Sequence, residues 1–205
     1  RSMIRVGNAA YSRQNKSFGL TTLRGRHVAI EGSTLRFSFR GKSGKEWRLR
    51  ITDRRIARVV RTIQDLPGQN LFQYLDEEGA RRQVRSQDVN DYIRSVMGEG
   101  FSSKHFRTWG GTVRAAAVLA NTPRPESTRA AAVALNEAID QVAGWLGNTR
   151  SVCRKCYIHP LVIEAWDEGR LGAELRSLAA RMRRDPAPLS AQEAVVRRWL
   201  ERAEG

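Results

Sequence analysis

Apolar and polar residues alternate strictly in two stretches of the first third of the chain. The stretches are residues 35–40 and 47–51, and the glycine-bearing segment 41–44 separates them. Two runs with a period of two residues around such a turn predict a β-hairpin. One face of the hairpin is apolar, and the other face carries the arginines Arg36, Arg40, Arg48 and Arg50. Residues 28–30 and 3–6 are the predicted neighbouring strands.

From residue 52 onward the apolar residues recur at helical spacing. Asp53 is the predicted N-cap of a helix that ends near residue 64. Its predicted apolar face consists of Ile56, Val59, Val60 and Ile63. Further helices are predicted at residues 86–97, from Ser102 or Ser103 past 118, at 128–146, 149–157, 160–168 and 171–183, and after Ser190. The pattern predicts an α+β fold, predominantly α, in which a small basic β subdomain (1–62) precedes a mainly helical part (63–205).

The composition is that of an ordinary folded protein. The chain has 205 residues, of which 40% are hydrophobic and 28% are charged. No apolar run approaches the roughly 20 residues that a membrane-spanning helix needs, and no signal peptide opens the sequence. Two cysteines cannot form the framework of a disulfide-rich secreted protein. These features predict a cytoplasmic protein without a membrane partner.

Positive charge is concentrated in the first third of the chain. Residues 1–62 contain sixteen basic and three acidic residues, whereas residues 63–205 contain twenty and eighteen. The formal net charge of +15 therefore arises almost entirely before residue 63. A concentrated field of this sign favours a nucleic acid, whose phosphates it would neutralise. An anionic membrane surface is the second interpretation.

Sequence motifs for nucleotides and metals give little support to either ligand. The chain contains neither a GxxxxGK[ST] phosphate loop nor a GxGxxG motif, which disfavours a nucleotide-driven enzyme. Cys153 and Cys156 form a single C-x-x-C pair, and a structural zinc site needs four ligands. Both cysteines are therefore predicted to be packing residues, and no metal is expected.

Three further residues have side chains suited to catalysis or phosphate binding. Each of them alone is also compatible with an ordinary structural role. Lys42 lies in the hairpin turn, where it either donates a proton to a leaving oxygen or simply faces solvent. Arg107 opens a predicted helix, and both helix N-termini and guanidinium groups suit phosphate oxygens. Tyr157 follows a short polar helix with Arg154 and Lys155, so it is either a nucleophile with cationic neighbours or a packing residue.

Five stretches, taken together and in order, resemble the type IB DNA topoisomerases, and most closely their small bacterial and poxvirus-type branch. They are Met3–Gly7, Phe18–Leu23, Gly41–Lys45, Lys104–Gly110 and the segment from Gly147 to Tyr157. The resemblance implies the catalytic-domain fold that these enzymes share with the tyrosine recombinases.

The resemblance also implies a reaction and the residues that perform it. In this family a tyrosine attacks a DNA phosphodiester and forms a 3′-phosphotyrosyl bond, and the freed 5′-hydroxyl later reseals the strand without ATP or metal. Tyr157 matches the nucleophile, and Arg5 and Arg107 match the two arginines that hold the phosphoryl oxygens. Lys42 matches the general acid that protonates the 5′-oxygen, and Lys45 is the alternative for this role.

Other matched positions concern DNA binding and one departure from the best-known family pattern. Tyr11 matches a tyrosine that touches backbone phosphate, and Lys45, Lys104 and the hairpin arginines are the remaining expected DNA contacts. Asn148 stands where poxvirus and nuclear enzymes have a histidine, although bacterial members also have asparagine. Because an amide is neutral, its stabilisation of developing negative charge is expected to be smaller. His159 lies near Tyr157 but at the wrong position to substitute.

The expected partner is double-stranded DNA, with no cofactor, and the protein is expected to be a nucleoid-associated monomer. Two alternatives stay open. Tyrosine recombinases and integrases share the fold and chemistry, but they typically have a histidine three residues before the second arginine, where this chain has Lys104. The other alternative is a non-catalytic basic DNA-binding module in which Tyr157 only packs. The small amino-terminal clamp domain of the family is expected to be absent, since nothing precedes Arg1.

Overall fold

The structure is a computed structural model that describes residues 2–182 and 189–204. The chain divides into two compact units, Arg1–Lys104 and His105–Gly205. The predicted boundary of the β subdomain at residue 62 lies within the first of these units.

The first unit contains a three-stranded antiparallel sheet in the order β1-β2-β3. The strands are β1 (Val28–Glu31), β2 (Thr34–Arg40) and β3 (Glu46–Thr52). The register places Phe37 opposite Leu49 on one face and Arg36 opposite Arg50 on the other. The predicted hairpin and its division into an apolar and an arginine-bearing face are therefore confirmed, as is the neighbouring strand at residues 28–30.

Helix α2 (Arg54–Gln64) packs on the apolar face of this sheet. Asp53 caps it as predicted, because its Oδ1 accepts a hydrogen bond from the amide of Ile56 at 3.0 Å. The helix buries a narrower face than the sequence predicts, since Ile56 and Val59 are 44% and 55% exposed. The shared core consists of Leu23, Val28, Leu35, Phe37, Phe39, Ala57, Val60 and Leu71.

The strand predicted at residues 3–6 does not form. These residues have no regular secondary structure, and Met3 has a positive φ of 45°. The carbonyls of Arg5 and Val6 accept from the amides of Leu20 and Thr21, both at 2.8 Å. Two such bonds to a 3-10 turn are too few for a strand ladder. The structure also contains a helix that the sequence pattern missed, α1 (Ala9–Asn15), which buries no residue and so lacks an apolar stripe.

A second, two-stranded hairpin and one helix complete the first unit. Strands β4 (Gln73–Leu75) and β5 (Arg81–Gln83) flank a turn in which the amide of Gly79 donates to the carbonyl of Asp76 at 2.9 Å. Helix α3 (Ser86–Met97) has the predicted bounds.

The second unit is helical and follows the predicted helices closely. Its elements are α4 (Ser103–Ala120), which begins at the end of the first unit, α5 (Thr128–Leu146), α6 (Arg150–Cys156), α7 (Pro160–Asp167), α8 (Leu171–Arg181) and α9 (Ala191–Glu204). The predicted end of α8 at residue 183 lies outside the described residues. Among residues 2–182 and 189–204, no helix has the length and apolarity to span a membrane. The observed elements confirm the α+β, predominantly helical fold.

Candidate active site

The arginine face of the sheet is exposed and crowded with like charge. Arg36 and Arg50 lie directly opposite each other on β2 and β3, and Ser38 lies opposite Arg48. Arg36 also pairs with Glu31 at 2.8 Å. Like charges directly opposite each other destabilise a sheet. A phosphate backbone would relieve this repulsion, so the face is suited to a polyanion.

Lys42 lies at the tip of the hairpin, next to a residue that was predicted to touch DNA. A 3-10 turn, Lys42–Gly44, connects β2 to β3, and the amide of Gly41 donates to the carbonyl of Lys45 at 2.7 Å. The Nζ atom of Lys42 is 5.9 Å from the ring centroid of Tyr11, a cation–π distance. Lys42, Lys45 and Tyr11 are all exposed. The structure therefore brings two predicted site residues together at an accessible tip.

The backbone around Arg5 is held by a close approach of two glycines. The carbonyl of Arg5 accepts from the amide of Leu20 at 2.8 Å, and Thr21 holds the next residue through its amide and its hydroxyl. A Cβ on Gly19 would lie 2.7 Å from the carbonyl oxygen of Arg5 and 2.6 Å from the Cα of Gly7. Only glycine at position 19 permits this approach, which fixes where the Arg5 side chain begins.

In the second unit, Arg107 is buried beside Tyr157. Its side chain is on α4, and the residue is only 5% exposed. The guanidinium carbon lies 5.3 Å from the centroid of the Tyr157 ring. Its Nη2 donates to the carbonyl of Leu146 at 2.8 Å. A buried guanidinium over the ring of a half-buried phenol is a suitable site for one phosphate group.

Asn148 belongs to the same region because it follows the end of α5 that Arg107 contacts. Gly147 ends α5 in the left-handed conformation with φ of 67°, and the amide of Asn148 donates to the carbonyl of Ala143 at 2.9 Å. This turn places Asn148 two residues after Leu146. Arg107 thus contacts both the ring of Tyr157 and the carbonyl of Leu146, two residues before Asn148. Lys104 lies one helical turn before Arg107 on α4 and is exposed.

Tyr157 directly follows α6 and is fixed through its backbone. Thr149 caps the start of this helix, and the amide of Tyr157 donates to the carbonyl of Cys153 at 3.0 Å. The carbonyl of Tyr157 accepts from the hydroxyl of Thr112 at 3.4 Å. His159, two residues further, pairs with Glu204 of α9 at 3.1 Å rather than facing Tyr157 as a site residue.

The two cysteines before Tyr157 differ from each other, contrary to the prediction that both pack. Cys153 is fully buried, whereas Cys156 is exposed, because it lies at the last position of a short helix. Burial raises the pKa of the Cys153 thiol to about 11, and the charge of Arg107 offsets part of this rise. Cys153 is therefore a neutral packing residue beneath the site.

Gly111 and Thr112 of α4 also contact the Tyr157 segment, and neither was among the residues predicted for the site. Gly111 packs against the backbone of Tyr157, and Thr112 forms hydrogen bonds to the segment around it. A glycine inside an 18-residue helix was the available signal, since glycine costs helix stability and often marks a close approach.

Comparison with known proteins identifies the class to which this fold and site belong. The family described as the catalytic core of eukaryotic DNA topoisomerase I matches residues 1–175. The chain therefore belongs to the eukaryotic DNA topoisomerase I catalytic-core family, and the predicted resemblance to type IB topoisomerases is confirmed.

One viral protein is similar to this chain in sequence over most of the chain's length. The chain is 32% identical over 170 residues to the DNA topoisomerase 1B of Acanthamoeba polyphaga mimivirus. The alignment covers 80% of this chain and 51% of the relative, so the chain spans about half the length of that protein. The roles of the individual site residues stay predictions.

Proposed function

We propose that this protein is a type IB DNA topoisomerase, which relaxes supercoiled double-stranded DNA by cutting and resealing one strand. The observation that carries the proposal is the buried guanidinium of Arg107 at 5.3 Å from the Tyr157 ring centroid. Membership of the topoisomerase family supports it, because the matched residues include both side chains.

In the proposed reaction, Tyr157 loses its proton to solvent water and its oxygen forms a bond to a DNA phosphorus atom. The bond from phosphorus to the 5′-oxygen breaks, and Lys42 donates a proton to that oxygen. A 3′-phosphotyrosyl bond and a free 5′-hydroxyl result. In the reverse step the 5′-hydroxyl returns its proton to Lys42, and its oxygen attacks phosphorus. The bond from phosphorus to the Tyr157 oxygen breaks, and Tyr157 regains a proton from solvent. Since the phosphodiester is exchanged for another phosphodiester, no ATP is needed for resealing.

The proposed role of the arginines is to stabilise charge that spreads over the non-bridging oxygens in the transition state. Arg107 is well suited because it is buried, and a charge in a water-excluded position interacts more strongly than one in solvent. Arg5 and Asn148 would provide further donors to the same oxygens. These groups perform the task that Mg²⁺ performs in other phosphoryl transfer enzymes.

The arginine face of the sheet is proposed to bind the phosphate backbone around the cleavage site. Arg36, Arg40, Arg48 and Arg50 are all exposed on this face. Contacts of this kind give affinity without sequence preference, and that affinity falls steeply with salt. Association with the nucleoid would follow from it.

The decisive experiment is relaxation of a negatively supercoiled plasmid in EDTA without ATP. The wild-type protein, Tyr157→Phe and the matched control Tyr92→Phe are compared, since Tyr92 is 70% exposed on α3. We expect relaxation by the wild type and the control and none by Tyr157→Phe. A nicked DNA substrate whose short 5′-hydroxyl fragment dissociates after cleavage would trap the covalent adduct in the same proteins.

The outcomes separate the proposed function from both alternatives. An adduct without relaxation, together with strand exchange between two substrates, would support a recombinase. DNA binding without any adduct would support a non-catalytic module and would contradict the proposal.

A further inference from the structure

Thr112 connects the segment that carries Tyr157 to the helix that carries Arg107. It is only 3% exposed, and its hydroxyl makes two hydrogen bonds. The hydroxyl donates to the carbonyl of Tyr157 at 3.4 Å and accepts from the amide of His159 at 3.1 Å. The side chain of Thr112 therefore holds the backbone on both sides of residue 158.

Gly111 is the second residue of α4 that holds the backbone of Tyr157. A Cβ at this position would overlap the carbonyl oxygen of Tyr157 and would lie 3.2 Å from the Tyr157 Cβ. The backbone of Tyr157 thus rests directly on the helix surface at Gly111. Thr108, one turn earlier on α4, adds a hydrogen bond from its hydroxyl to the carbonyl of Cys156 at 3.4 Å.

Arg107 and Thr112 lie on the same uninterrupted helix, α4, five residues apart. A helix of this length behaves as one rigid element, so its geometry fixes the distance between the backbone of Arg107 and the α4 residues that hold Tyr157. The hydrogen bond from Nη2 to the carbonyl of Leu146 then holds the guanidinium. Only the two side-chain torsions of Tyr157 then lie between its backbone, which α4 holds, and its phenol oxygen. A misplacement of about 1 Å at a reacting atom can lower a rate by about 100-fold.

We propose that Thr112 is a positioning residue for the nucleophile, and that its hydroxyl sets the phenol oxygen of Tyr157 relative to Arg107. The inference rests on the proposed function, because it concerns the rate at which Tyr157 forms a covalent bond to DNA. Thr112 acts through the backbone of residues 157–159 and does not touch the substrate.

The test compares Thr112→Val, which keeps the shape and removes the hydroxyl, with Thr112→Ser, which keeps the hydroxyl. Single-turnover rate constants are measured for adduct formation on the nicked substrate and for religation of the isolated adduct. DNA affinity is measured separately in a Tyr157→Phe background. For Thr112→Val we expect both rate constants to fall by about 10- to 100-fold, with DNA affinity unchanged within about twofold. Thr112→Ser should react within about threefold of the wild type.

Equal loss in both directions distinguishes positioning from a general loss of stability. Cleavage and religation pass through the same transition state, so a misplaced nucleophile slows both and leaves the equilibrium fraction of adduct unchanged. A partly unfolded variant would instead show a smaller amplitude with a normal rate constant. Faster amide hydrogen exchange at His159 in Thr112→Val would report the lost hydrogen bond independently of activity.

A second pair of variants keeps the test valid if Thr112→Val does not fold. Gly111→Ala should displace Tyr157 and slow adduct formation by about 10-fold or more. Gly144→Ala is its matched control, since a Cβ at this helical position would meet no atom within 4 Å. It should react like the wild type.

Three results would overturn the inference, and they can be told apart. If the wild type forms the adduct and Thr112→Val forms it equally fast, the positioning role is wrong while the proposed function stands. Equal slowing by Thr112→Ser and Thr112→Val would show that the hydroxyl is not responsible. If the wild type forms no adduct, the proposed function fails and the inference fails with it.

Discussion

The guanidinium carbon of Arg107 lies 5.3 Å from the ring centroid of Tyr157, although fifty positions separate the two residues in the chain. The same guanidinium donates to the carbonyl of Leu146, at the end of α5. One buried cation therefore joins α4, the end of α5 and the segment after α6. This convergence leads to the first of the predictions below.

Replacing Arg107 by lysine should lower the rate of adduct formation by about 100-fold or more, because an ammonium cannot reproduce the planar fork of donors. The measurement is the single-turnover rate on the nicked substrate. Arg114→Lys is the matched control, since Arg114 is exposed on the same helix. A rate for Arg107→Lys within threefold of the wild type would contradict a role in the transition state.

Arg50→Ala should weaken DNA binding and stabilise the folded protein at the same time. The loss of one phosphate contact should reduce the slope of log affinity against log salt by about one. Removal of the charge opposite Arg36 should raise the free energy of unfolding by about 0.2–1 kcal/mol. Binding isotherms at several salt concentrations and denaturant titrations measure the two effects.

Arg129→Ala serves as the control for general charge effects, since Arg129 is exposed on α5. It removes one positive charge outside the arginine face. An unchanged salt slope in Arg50→Ala, or the same change in both variants, would argue against a specific phosphate contact at the sheet.

Gly19→Ala should impair the reaction through Arg5 while leaving the residues of the second unit in place. The added Cβ would collide with the backbone of Arg5 and Gly7, so the segment that carries Arg5 must move. We expect a loss of about 1–3 kcal/mol in the free energy of unfolding and a slower adduct-forming step. Gly25→Ala is the control, since a Cβ there would meet no atom within 4 Å. Normal kinetics in Gly19→Ala would show that this close approach does not position Arg5.

His27 should make the protein less stable as the pH falls below neutrality. Its burial, together with the charges of Arg26 and Arg24, holds the pKa of the His27 imidazole below its ordinary value of 6.5. Its Nδ1 accepts from the amide of Arg24 at 3.1 Å, which requires the neutral ring.

The unfolded chain therefore binds more protons than the folded protein once the pH falls through 6.5, and the free energy of unfolding decreases. Denaturant titrations between pH 7.5 and 5 measure this decrease. The decrease should be smaller in His27→Asn, which keeps an acceptor but cannot titrate. Equal pH dependence in the two proteins would contradict the prediction.

Thiol reagents should distinguish Cys156 from Cys153. At pH 8 the exposed Cys156 should react with a maleimide, whereas Cys153 is buried with a pKa raised to about 11 and should be protected. Mass spectrometry of the labelled peptide 149–160 measures the ratio. Labelling of Cys153 at the rate of Cys156 would contradict the buried assignment.

The same pKa implies that alkaline conditions destabilise the fold. Between the unfolded value of 9.0 and about 11, the folded protein retains a proton that the unfolded chain loses. The free energy of unfolding should therefore decrease across this range, by at most about 2–3 kcal/mol. Cys153→Ala should show a smaller decrease over the same pH range.

The sequence alone determined the local elements and the kind of chemistry. Strict alternation around segment 41–44 fixed the arginine-faced hairpin, because side chains on successive strand residues point to opposite faces. Asp53 marked the start of α2 through a cap that involves only neighbouring residues. Ordered stretches with similar spacing indicated the family and the candidate residues.

Only the tertiary structure determined which residues surround Tyr157, the proposed nucleophile, and how closely they pack against it. Thr112 and Tyr157 are forty-five positions apart, and no local pattern states that one will hold the carbonyl of the other. The exposed Ile56 and the missing strand at residues 3–6 have the same cause, because what a segment buries depends on the elements that pack against it. Helix caps and the alternation of apolar residues depend on neighbouring residues, whereas the contacts that hold Tyr157 depend on long-range packing.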